Sequence, residues 1–141
     1  MNYEKVNNVS VPLIFRKSIP AGEKGYIDIP ITAHGYITEC RINFAAGEAG
    51  TLHLRPVVIL PGEIMLDLFK YAQGGDSYIS GDDETIISSM KMEVENHAVA
   101  RVYYENTGES GTANSQLNVD ITVNYLSIIE PENIIGPRSR R

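Results

Sequence analysis

Tryptophan is absent from this chain, and cysteine occurs once, at Cys40. A single thiol closes no internal disulfide and completes no zinc set, so a disulfide scaffold and a cysteine-rich metal fold are both excluded. Cationic residues are outnumbered, 12 against 18 acidic ones, and the net charge of −6 argues against general nucleic-acid binding. Apolar runs are short as well. None approaches the ~18 residues of a membrane helix, and the start, Met1-Asn2-Tyr3-Glu4-Lys5, lacks the apolar core of a signal segment. The expectation is a soluble protein made in a cytoplasm, with no membrane partner. His34, His53 and His97 stand in separate turns or strands without i+2 or i+4 partners, and read as surface or capping residues.

What the chain has in quantity is period-two alternation. In Leu117-Asn118-Val119-Asp120-Ile121-Thr122-Val123-Asn124-Tyr125 every odd residue is apolar and every even one polar, the pattern of a strand with one face on a core and one in water. With 141 residues and 43% hydrophobic content, one domain with a real core is the default. Breakers divide the chain into about eight extended segments. Val11 to Ile19 places Val11, Leu13 and Phe15 on one face, and Tyr26 to Thr32 buries Ile27, Ile29 and Ile31. Pro12 suits an edge strand or a strand entry, and Pro30 argues for an edge. Tyr36 to Phe44 gives Cys40 the parity of Ile42 and Phe44, so it reads as a small buried apolar residue rather than a nucleophile.

Thr51 to Leu60 turns Leu52, Leu54, Val58 and Leu60 inward, while Val57 and Ile59 share the outer face with His53 and Arg55, which predicts that this face is itself covered further along. Ile64 to Ala72 has apolar residues at 64, 65, 68, 69 and 72 and predicts a short helix or an irregular strand. A polar loop, Gln73 to Glu84, follows. Thr85 to Glu95, Ala98 to Tyr104 and Leu117 to Tyr125 alternate plainly, and Glu105 to Gln116 is a Gly/Ser/Asn-rich loop. The predicted fold is all-β: an antiparallel two-sheet β-sandwich of about eight strands, closer to a jelly roll than to a seven-stranded immunoglobulin fold. Residues 1–8 form an N-terminal segment, 9–127 the sandwich and 128–141 an extended C-terminal arm.

No catalytic constellation is visible, and no cofactor is expected. Gly108-Glu109-Ser110-Gly111 lacks the strand-to-helix context of a nucleophile elbow. Asp28 and Asp120 lie on outward faces and would serve glycoside hydrolysis only if the sheets brought them close. The best candidate ligand loop runs from Gly74 to Glu84, with Asp76, Tyr78, Asp82, Asp83 and Glu84. It fails as an EF-hand because Tyr78 holds the third place and Ile87 the twelfth, so a looser oxygen-ligand site or a solvated turn remains. Of the eight tyrosines, Tyr26, Tyr36, Tyr71, Tyr78 and Tyr103 carry outward parity, whereas Tyr104 and Tyr125 carry core parity.

Beyond the last strand, Ile128, Ile129, Ile134 and Ile135 form two apolar pairs around Glu130-Pro131-Glu132-Asn133, and Arg138, Arg140 and Arg141 follow. The prolines set this stretch apart from a regular strand. An arm laid on a neighbouring subunit accounts for the isoleucine pairs, the prolines and the arginines together. A disordered tail is the alternative.

Ser18-Ile19-Pro20-Ala21-Gly22-Glu23 leading into Tyr26-Ile27-Asp28-Ile29-Pro30, with Tyr103-Tyr104-Glu105-Asn106-Thr107-Gly108 and the closing strand, resembles the jelly-roll structural proteins of tailed bacteriophages. The resemblance covers most of the chain in style and transfers no functional residues. It implies a non-enzymatic virion protein made in the host cytoplasm, assembling symmetrically as a homotrimer. The role it implies is a capsid decoration or cement subunit stabilising a shell by contacts with itself and a major capsid protein. The alternative is a carbohydrate- or receptor-binding module of a tail or fibre that uses Tyr78 and its loop.

Overall fold

The computed structural model describes residues 8–48, 50–69, 78–109 and 116–128. Every regular element among them is a strand: β1 (Asn8–Pro20), β2 (Lys24–Pro30), β3 (Gly35–Phe44), β4 (Leu52–Leu60), β5 (Ile64–Asp67), β6 (Glu84–Val94), β7 (Val99–Asn106) and β8 (Gln116–Ile128). They form two antiparallel four-stranded sheets, ordered β1-β8-β3-β6 and β2-β7-β4-β5. β1 pairs with β8, β2 with β7, β3 with β6 and β4 with β5, so the chain is in effect one long hairpin. Rolling that hairpin sends successive pairs alternately into the two sheets, and the β3–β8 and β4–β7 seams close each sheet. This is a jelly roll.

The core lies between the sheets and is supplied by alternate residues. In β8, Leu117, Val119, Ile121, Val123 and Tyr125 are all buried, and Phe15, Ile19, Leu52, Leu54, Val58 and Val102 meet them from both sheets. Pro12 and Pro30 both fall on edge strands, where a missing donor costs nothing to the ladder. Val11 departs from its expected inward place and is 37% exposed. β1 runs for 13 residues whereas the longest strand of the other sheet has 9, so the outer end of β1 has no core to meet.

Alternation in β3 breaks once. Gly35 and Ile37 face inward, but so do Cys40, Ile42 and Phe44, because an irregularity between Ile37 and Glu39 switches the parity. Between the Ile37 and Cys40 rungs β8 advances from Tyr125 to Val123, two steps, while β6 goes from Met92 to Ser88, four steps. The sheet therefore fans open toward β6 and bends. Gly35 is obligatory: a Cβ there would run into the Leu126 carbonyl oxygen.

The helical option for Ile64 to Ala72 is corrected. Pro61-Gly62-Glu63 reverses the chain, with Gly62 at φ 89° and Glu63 at φ 65°, and Ile64–Asp67 pairs with Val57–Leu60 as β5. Ile64 and Met65 are exposed, whereas Leu68 and Phe69 are buried after the strand ends. The helix-like spacing thus came from an edge strand followed by an inward bend; residues 70–72 lie outside the described residues.

Asn106 ties the sheets together and is fully buried. Its amide donates to the Ile19 carbonyl (2.9 Å) at the end of β1, and its side-chain oxygen accepts from the Gly108 N–H (2.8 Å). The Gly22 turn, at φ 78°, donates its own N–H to the Asn106 carbonyl (2.8 Å).

Candidate functional site

Outward positions of the second sheet form ordered rungs. Strand pairing aligns Tyr26 of β2, Tyr103 of β7 and Arg55 of β4 in one row, and Asp28, Arg101, Val57 and Asp67 in the next. Antiparallel pairing sets such side chains about 5 Å apart along a rung, close enough for direct contact. Arg101 grips Asp28 with two bonds, from Nε (2.7 Å) and from Nη2 (2.9 Å), and donates from Nη1 to the Tyr103 hydroxyl (3.1 Å). Its guanidinium lies 3.9 Å from the Tyr26 ring centroid and 5.5 Å from that of Tyr103, and the two rings meet edge-on at 5.9 Å. Hydrogen bonding to Asp28, chiefly, pushes the Arg101 pKa up.

A second clamp stands beside the first. Arg55 binds Asp67 through Nε (2.8 Å) and Nη2 (3.2 Å) and is held protonated chiefly by that bond, with Tyr78 and Tyr103 adding to its field. Val57, in register with Arg101 and Asp67, is fully buried although it is on the outer face, as the expected cover over this face requires. Tyr26 is 53% exposed. The result is a surface of tyrosine rings and clamped guanidinium groups, the residue types that dominate protein interfaces.

The outer face of the first sheet differs. Arg16 reaches Asp120 (3.5 Å), Asn43 donates to Asp120 (3.4 Å), and Thr85 donates to the Asn43 side chain (2.8 Å), so one polar row crosses all four strands. Asn124 donates to Glu39 (2.7 Å) in a second row. An open depression lined by Arg16, Lys17, Ser18, Asn118 and Asp120 lies on this side. At the nearby sheet end Glu48 is buried, with one carboxylate oxygen unmatched by any donor. Burial, more than its neighbours Asp82 and Asp120, raises the Glu48 pKa, against the lowering effect of bonds to the Asn118 and Ala45 backbone.

The residues singled out from sequence are placed as follows. Asp82 accepts from the Gly47 N–H (2.8 Å), Glu84 accepts from the Asp82 N–H (3.2 Å), and Asp83 adopts φ 52°. These carboxylates organise the turn into β6. Tyr78 sits half-buried beside the Leu54–Ile79 bridge, and its influence on Arg55 joins it to the tyrosine-arginine face. Asp76 and Tyr71 lie outside the described residues, as do Ile129, Ile134, Ile135, Arg138, Arg140 and Arg141. Ile128 ends β8, where its N–H donates to the His34 carbonyl (3.0 Å). Asp28 and Asp120 occupy different sheets and bind different arginines. Cys40 is fully buried, and burial together with Glu39 holds its thiol well above the usual range.

Two arrangements escaped the sequence reading. The Arg101–Asp28 clamp joins residues 73 positions apart. His34, Glu93 and Glu95 bring ligand atoms within 4.8 Å of one another, with His34 Nε2 at 2.7 Å from Glu93. Among the described residues this is the one such group, and its two carboxylates are exposed. Only strand register makes either visible.

No protein-family model matches the chain, and no curated protein matches it. Among solved structures it overlays VP2 of infectious bursal disease virus in derived particles, with a TM-score of 0.48 and 11% identity over 92% of this chain and 33% of that one. A chain of the infectious bursal disease virus particle gives 0.47 and 11% over 89% and 32%. The Drosophila NLP core gives 0.39 and 7% over 85% and 99%. The chain thus spans about a third of the length of the viral chains it overlays.

Proposed function

We propose that the protein is a non-enzymatic structural subunit of a virus particle, a capsid decoration or cement subunit that assembles as a homotrimer and seats on the shell. The observation that carries this reading is the second sheet's outer face, where an exposed Tyr26 and a half-buried Tyr103 stand with Arg101 and Arg55, the two arginines already locked by Asp28 and Asp67. Side chains fixed before contact lose little entropy on binding, so such a face gains more per contact than a mobile one. The sequence resemblance to phage jelly-roll structural proteins supports the same role. So does the accounting of acidic groups: on the strands Asp28, Asp67 and Asp120 each engage an arginine.

The test is assembly. Sedimentation of the full chain, alone and with shells of the virus that encodes it, should show a stable oligomer that pellets with the shells. Arg101→Ala should weaken both behaviours while the strands remain folded. A monomeric chain that ignores the shells would overturn the reading, and saturable binding on a glycan array, lost in Tyr78→Ala, would move the protein to the carbohydrate-binding class.

A further inference from the structure

The four sheet edges are unequally protected. β1 carries Pro12, β2 carries Pro30, and β5 has only 4 residues. β6 runs for 11 residues without a proline, and among the described residues β3 lies along one side of it and no strand along the other. Its core-side residues Ile86, Met90 and Met92 are only partly buried, and Ile87 on the outer side is 43% exposed. A long edge with a partly open apolar core side, and with Ile87 on the outer side, invites an added strand.

Resting on the self-assembly read above, we infer that β6 is completed by residues 129–141 of a second copy, added antiparallel with Ile135 opposite Ile86. In that one register the adjacent pair Ile134-Ile135 meets the adjacent pair Ile86-Ile87, so each face gains an apolar cross-strand contact. Glu130 then falls opposite Lys91, and Ile129 opposite Met92. Arg138 arrives beside Asp83, flanked by Asp82 and Glu84. No like charges oppose each other. Backbone N–H groups alternate between the two sides of a strand, so Pro131 and Pro137, six positions apart, lack donors on the same side. A strand whose missing donors all face outward is tolerated at an edge and nowhere else.

The donor is a second copy because the chain's own arm cannot reach. Ile128 lies in β8, and the far side of β6 is three strand spacings away, about 14 Å. A single peptide link spans only ~3.8 Å, far short of that distance. Each copy therefore gives an arm and accepts one, a contact that closes into a ring when the rotation between copies divides a full turn.

Disulfide trapping between two full-length variants tests this register. Cys40 is buried and supplies no background. Chains carrying Ser89→Cys, mixed with chains carrying Glu132→Cys, should cross-link on mild oxidation about 10²-fold faster than Ser89→Cys mixed with Gly136→Cys, because only the first pair is held at high effective concentration. Equal rates for the two mixtures would overturn the register. Cross-linking of Ser89→Cys with itself at that rate would assign β6 to pairing with another β6, and an intrachain disulfide in the diluted double variant would return the arm to its own chain; either result defeats the proposal. Sedimentation of the native chain with shells, run beside these mixtures, reads the proposed function separately: assembly without the cross-link removes the arm and leaves the structural role.

Discussion

The two outer faces of this sandwich are built from the same strand geometry and spend their polar groups differently. On the β1-β8-β3-β6 face, Arg16, Asp120, Asn43 and Thr85 bond to one another across the sheet, mostly through short side chains with little aromatic surface. On the β2-β7-β4-β5 face, two arginines are clamped by aspartates at 2.7–2.8 Å, and one of them, Arg101, is overlaid by tyrosine rings, of which Tyr26 is 53% exposed. The first arrangement turns most of its polar groups toward one another within the sheet and offers a partner little aromatic surface. The second leaves the Tyr26 ring open to solvent beside two restrained arginines. The difference predicts that damage to the first face is felt as lost stability, and damage to the second as lost association.

The largest expected effect is on the first sheet. Gly35→Ala forces a Cβ against the Leu126 carbonyl and the Tyr125 ring, and should lower stability by about 3 kcal/mol or more, read by denaturant unfolding. Next, Arg101→Ala should weaken self-association by roughly 30-fold, about 2 kcal/mol at an interface anchor, while thermal stability falls by no more than about 1 kcal/mol. Arg101→Lys keeps the charge but loses the bidentate clamp and the stacked plane, so it should restore association only in part.

Asn43→Ala removes the middle of the polar row and should cost about 1 kcal/mol of stability with association unchanged. The smallest effect concerns Glu48. Its pKa is raised in the folded protein, so the folded state prefers the protonated acid, and stability declines as pH rises from the ordinary glutamate range through the raised value. Glu48→Gln, which does not titrate, should be the more stable chain at pH 7 by up to about 1 kcal/mol, and the advantage should vanish as pH falls. Melting curves between pH 4 and pH 8 read this directly.

Much of the architecture was legible from alternation alone because most strands have one wet face. Pro12 and Pro30 marked two edges correctly, and Leu117 to Tyr125 named a buried row residue by residue. The limits were physical. Cys40 was placed inward, but the parity switch near Thr38 depends on how β3 keeps step with two differently paced neighbours, which no local pattern encodes. Ile64 and Leu68 fitted a helix because an exposed edge strand and the inward bend after it imitate that period. The tyrosine-arginine face was half-visible: Tyr26 and Tyr103 had outward parity, but their union with Arg101 and Asp28 exists only through the β2–β7 register. The acidic loop drew notice for its charge, whereas Asp82 and Glu84 accept bonds from the turn's own N–H groups.

The most direct test of the central claim is the solution mass of Tyr26→Ser measured by sedimentation equilibrium beside the native chain. Tyr26 stands half-exposed on an edge strand and packs on Arg101 and Tyr103 rather than on the core, so its loss should lower stability by no more than about 1 kcal/mol. The account predicts that the native chain sediments as an oligomer and Tyr26→Ser as a monomer at the same concentration. An unchanged oligomer mass in Tyr26→Ser would contradict it.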